Sequence, residues 1–92
     1  MAIDNEEEFK KWFRQAEADF TKIKILIDSN NLDGAAFYSQ QSVEKALKAL
    51  IIKTKKQLPR IHDLLSLSKM ADCPEEIIDK CKIINPYYIE TR

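Results

Sequence analysis

The stretch GAAFYSQQSVEKALKALIIKTK, residues 34–55, decides the fold. Its apolar residues Ala36, Val43, Leu47 and Leu50 return in steps of seven, four and three, the recurrence of one helix face rather than the alternation of a strand. Beside that seam runs a rib of small residues, Ala35, Ser39, Ser42, Ala46 and Ala49, spaced 4, 3, 4 and 3. Small side chains let a neighbouring backbone come close, so the rib marks the tightest contact of this helix, made within the chain or with a second copy. Gln40 lies in the seam between Ala36 and Val43, where a buried amide costs about 1–3 kcal/mol unless it is hydrogen-bonded. It either fixes the packing register or faces a partner or ligand.

Upstream, Asn30, Asn31, Asp33 and Gly34 form a turn cluster in which Asn30 or Asn31 ends one helix and Asp33 caps the next. Before it, Phe9, Trp12, Phe13, Ala16, Phe20, Ile23 and Ile27 predict a long amphipathic helix over about Asn5 to Ser29, opened by a capping box of Asp4 and Glu7. Two long helices joined by so short a loop run antiparallel. Downstream, Pro59 implies a loop over 55–61. Leu64, Leu65, Leu67 and Met70 predict a short third helix from His62 to Met70. Asp72 or Cys73 caps a fourth, with Pro74 at its first position, Glu75 and Glu76 in its first turn, and Ile77, Ile78, Cys81 and Ile84 as its apolar face. Asn85 and Pro86 stop it. The expected fold is all-α, four helices in one domain over residues 1–92. The closing Tyr87 to Arg92 carries no stop signal, and the natural chain is expected to continue past it.

Ninety-two residues suit one small domain, and 45% hydrophobic with 33% charged residues describe a globular chain rather than a disordered one. Fifteen basic and fifteen acidic residues cancel, so binding to nucleic acid must come from a local patch. One glycine leaves no phosphate-cradling loop, and no nucleophile elbow or helical pair of histidines is present. Cys73, Cys81 and the single His62 fall short of a four-ligand zinc set, so no metal or other cofactor is expected, and the cysteines are read as free thiols. The acidic N-terminus and the lack of any long apolar run point to a cytoplasmic chain without a membrane segment.

Three polar features remain. Lys45, Lys48, Lys53, Lys55, Lys56 and Arg60 face a single acid, Glu44, and such a tract either contacts phosphates or simply solvates a helix end. Arg60, His62 and Asp63 cluster where the third helix begins. His62 has the ring for proton transfer near neutrality, with Asp63 to orient it, or else Asp63 is a plain cap beside a loop histidine. Gln40, Gln41, Glu44, Lys45 and Lys48 share the second helix, with Glu44 and Lys48 spaced as a surface ion pair worth a few tenths of a kcal/mol.

FYSQQSVEKALKALI (residues 37–51), HDLLSL (62–67) and YYIETR (87–92) together resemble the HEPN domain family, the higher-eukaryote and prokaryote nucleotide-binding domain, and within it the small stand-alone prokaryotic members encoded beside a minimal nucleotidyltransferase. The resemblance implies an up-and-down bundle of four to five helices that forms homodimers, associates with a nucleotidyltransferase partner in a toxin–antitoxin arrangement, and binds nucleotide or RNA. On that reading Lys45, Lys48, Arg60 and Arg92 hold phosphate, and His62 and Asp63 line the site. Ala35, Ser39, Gln40, Ser42, Ala46 and Ala49 are the expected interface. Many family members cleave RNA without metal, using an Arg and a following His with four to six residues between them. Here Lys55, Lys56 and Gln57 occupy the positions where that Arg would precede His62. The expectation is thus a binding subunit, with a metal-independent ribonuclease and a purely structural dimer as alternatives.

Overall fold

The computed structural model describes residues 5–85, in which four helices follow one another: α1 (Asn5–Asp28), α2 (Leu32–Lys55), α3 (Leu64–Met70) and α4 (Glu75–Ile84). Asp4 of the expected capping box and the segment Tyr87–Arg92, including Arg92, lie outside the described residues.

The boundaries are set by side chains that satisfy the free amides and carbonyls of helix ends. Asn30 takes a left-handed φ of 60°, and the amides of Asn30 and Asn31 bond back to the carbonyls of Ile27 and Leu26. Asn31, not Asp33, caps α2: its Oδ1 accepts the Gly34 amide at 2.9 Å, which starts the helix two residues earlier than expected. A Cβ at residue 34 would stand only 3.0 Å from that oxygen, so glycine suits the close approach. At the far end Lys56 turns left-handed, with a φ of 59°, and its amide bonds to the Ile52 carbonyl.

α3 starts at Leu64 rather than His62, because Asp63 holds the extended conformation of a cap and leaves His62 in the loop. The Asp63 carboxylate accepts the Leu65 amide at 3.1 Å and the Ser66 hydroxyl at 2.9 Å. Asn85, at the end of α4, donates to the same carboxylate through Nδ2 and accepts the Leu64 amide at 3.1 Å, clamping the start of α3. Pro74, expected as the first helical residue, is itself the cap of α4 in place of Asp72 or Cys73, and the helix begins one position later at Glu75.

Burial pushes the Asp63 carboxyl up, but the Ser66 and Asn85 side chains and the amides of Leu65 and Ser66 outweigh it, leaving its pKa below the ordinary value. A carboxyl depressed in the folded state adds stability above its unfolded pKa of about 3.9 and loses it as pH falls through the folded value. Asp63→Ala should therefore cost about 1 kcal/mol at pH 7, as cap removals do, and distinctly less at pH 2 to 3. Urea denaturation at both pH values checks this, and an equal penalty at both would contradict it.

α2 is the spine. α1 packs antiparallel along it, α3 and α4 pack on it and on each other, and among the described residues α1 has no comparable contact with α3 or α4. The core lies between α2, α3 and α4, where Leu47, Ile51, Leu64, Leu67 and Cys81 are buried and Val43, Ala71, Cys73 and Ile84 close its edges. Because α2 has neighbours on two sides, its buried residues do not form the single expected seam: Ala36 and Leu50 are exposed, while Ile51 and Ile52 are sealed. On α1 the expected Ala16 is buried, but Phe13, Phe20 and Ile27 stand in solvent and Asp19 joins Ala16 on the inner line. The small rib explains this. Ala35, Ser42 and Ala49 are buried within the chain, and the Ser42 hydroxyl donates to the Ala16 carbonyl at 2.9 Å, an approach that an aromatic ring at position 16 would block. Ser39 and Gln40 are half-buried and Ala46 is exposed.

Candidate functional site

Glu44, Leu47, Lys48 and Ile51 fall on one face of α2, spaced three, four and seven residues from the first, so the face that builds the core also carries a charge pair inward. The Lys48 side chain is only 4% exposed and that of Glu44 12%, so this pair is not the solvated one its spacing suggested. Lys48 Nζ lies 3.0 Å from Glu44 Oε2. It also sits 5.3 Å from the centre of the Trp12 ring on α1, within cation–π range. Trp12 Nε1 is buried with no acceptor among the described residues.

The same Glu44 oxygen meets His62 Nδ1 at 2.6 Å across the α2–α3 loop. The His62 side chain is 57% exposed, so a largely buried carboxylate anchors a ring that reaches solvent. Of the two readings of Asp63, orienting acid or plain cap, the contacts are those of the cap, with its carboxylate engaged by Leu65, Ser66 and Asn85. The buried Pro59 seats the loop that brings Arg60 and His62 to the surface, and Arg60 is exposed.

The remaining basic residues are largely engaged. Lys45 pairs with the buried Asp19 at 2.6 Å, with Lys22 at 3.8 Å on the other carboxylate oxygen. Lys53 lies over Phe9 at 4.5 Å, and Lys55 pairs with Asp72 at 2.7 Å. The tract that reads as one patch in the sequence is thus divided among several partners. Glu44 as the partner of His62 carries no local signal, since 18 residues separate them; the one clue is that Glu44 and Lys48 share a face with Leu47 and Ile51.

Both cysteines are free thiols. Burial, then the Asp72 charge, raises the pKa of Cys73; burial, then Cys73, raises that of Cys81 against a hydrogen bond from Ser68, so both remain protonated near neutrality. Among the described residues no three His, Cys, Asp or Glu side chains gather as metal ligands, and no helix is long and apolar enough to cross a membrane.

The fold and site define a small helical bundle with a carboxylate-anchored histidine beside its second helix. The model of the HEPN domain matches residues 9–92, and the chain belongs to that family. It is also 40% identical over 43 residues to the protein named "Putative toxin MJ1304" of Methanocaldococcus jannaschii, a match that covers 47% of this chain and 28% of that relative. No solved structure matches significantly.

Proposed function

We propose that the chain is a HEPN subunit of the toxin–antitoxin kind that meets the phosphates of a nucleotide or an RNA at the loop before α3. The observation that carries this reading is the half-exposed His62, anchored at 2.6 Å to a buried Glu44 and two residues from the exposed Arg60. A guanidinium offers planar, charge-assisted hydrogen bonds to phosphate oxygens, and the adjacent ring adds a further polar contact. Lys45 and Lys48 act behind this edge as charge partners of Asp19 and Glu44, and Arg92 is a further candidate cation. The toxin name of the archaeal relative supports the toxin–antitoxin assignment.

The chain acts in the cytoplasm as a homodimer and with a nucleotidyltransferase-type partner. The exposed apolar groove between α1 and α2, lined by Phe13, Phe20, Ser42 and Ala46, supports a protein contact there. Titration with ATP at low salt, followed on the backbone amides, tests the phosphate reading, with shifts expected on Arg60, His62 and Asp63 that weaken as salt screens the charges.

The Glu44–His62 contact also favours a second reading, a metal-independent ribonuclease. His62 would take the proton of a 2′-hydroxyl as that oxygen attacks the neighbouring phosphorus, the bond to the 5′ oxygen would break, and the leaving oxygen would regain a proton from the ring. Arg60 would balance the charge that builds on the phosphate.

A further inference from the structure

We infer that Glu44 is the positioning residue for His62, holding its imidazole in the Nδ1–H tautomer so that Nε2 is the nitrogen that accepts a proton or hydrogen bond from whatever the loop binds. The functional meaning of this rests on the phosphate-edge reading; the geometry does not. His62 Nδ1 and Lys48 Nζ approach one and the same Glu44 oxygen, at 2.6 and 3.0 Å. A carboxylate oxygen that faces an ammonium is an acceptor with no proton to give, so in the contact with the neutral ring the proton sits on Nδ1. A hydrogen bond at one ring nitrogen decides which nitrogen is left basic.

The groups around the contact agree with this assignment. From α2, Lys48 supplies the opposite charge that compensates the buried Glu44 carboxylate. From α1, the Trp12 ring sits against the Lys48 ammonium and keeps that side apolar. From the loop, the Asp63 carboxylate is engaged by Leu65, Ser66 and Asn85. The anchor is thus fixed by core packing while the ring stays half in solvent, so its orientation is set on folding rather than on binding.

The test is the imidazole ¹⁵N spectrum of the whole chain, labelled at its single histidine, at a pH where the ring is neutral. In the wild type Nδ1 should resonate as the protonated nitrogen and Nε2 as the bare one. In Glu44→Leu combined with Lys48→Met, which removes both charges and orphans neither, the ring should shift toward the opposite tautomer or an average of the two. A bare Nδ1 in the wild type overturns the inference, as does an unchanged tautomer in the folded double variant. If that variant does not fold, the wild-type spectrum decides alone. Failure of ATP to bind leaves the tautomer result standing, so the two ideas fail separately.

Discussion

Lys48→Ala should lower the unfolding free energy by about 3 kcal/mol, although a lysine in a basic tract reads as a surface residue whose loss costs almost nothing. Its side chain is 4% exposed, and its ammonium is the charge partner of a carboxylate that is itself nearly sealed. Removing one member of a buried pair leaves the other charge without compensation, which typically costs about 3–5 kcal/mol. His62 still contacts Glu44 and the carboxylate is not wholly dry, which places the expected loss at the lower end. The same reasoning predicts that Glu44→Leu with Lys48→Met, with both charges gone, is far milder than the sum of the single changes. Urea denaturation of the two singles and the double measures this. A Lys48→Ala loss within about 0.5 kcal/mol of zero would show that the pair is solvated.

Leu67→Ala should cost about 3 kcal/mol and lower the melting temperature by roughly 12–24 °C. Leu67 is fully buried among Leu47, Ile51, Leu64 and Cys81, where α2, α3 and α4 meet. α3 has seven residues, well short of the roughly 12–15 that an isolated helix needs in water, so its stability comes from the leucines it buries. Truncating Leu67 removes apolar surface from the core and leaves a cavity that α3 alone cannot refill. By contrast, truncation of the exposed Phe20 or Ile25 should have small effects on stability. Calorimetry of Leu67→Ala beside Ile25→Ala makes the comparison, and equal losses would contradict the placement of the core.

The helices were legible because apolar recurrence over 24 residues is a strong signal, and both α1 and α2 are that long. Which residues point inward was less so. Phe13 and Phe20 fit the helical period on α1, yet the contact with α2 is narrow and takes Ala16 opposite Ser42, leaving the rings outside. Three helix starts differ from the expectation because each is a local choice between neighbours: Asn31 rather than Asp33 caps α2, Asp63 caps an α3 that begins after His62, and Pro74 rather than Asp72 or Cys73 caps α4. His62 was visible as the chain's lone imidazole, but its partner was not. Glu44 lies 18 residues away, and its pairing depends on how the loop through Pro59 folds back onto α2. The basic tract misled in the same way, since charge counted along the chain says nothing of Asp19 or Asp72, which arrive from other helices.

The phosphate site at the loop before α3 stands or falls on the ATP titration at low salt, read on the backbone amides. Shifts should concentrate on Arg60, His62 and Asp63 and fade as salt is raised, with Lys45 and its partner Asp19 little affected because their charges are already paired. Unmoved amides at Arg60, His62 and Asp63 up to millimolar ATP, or shifts centred on Lys45 and Asp19, would overturn that site.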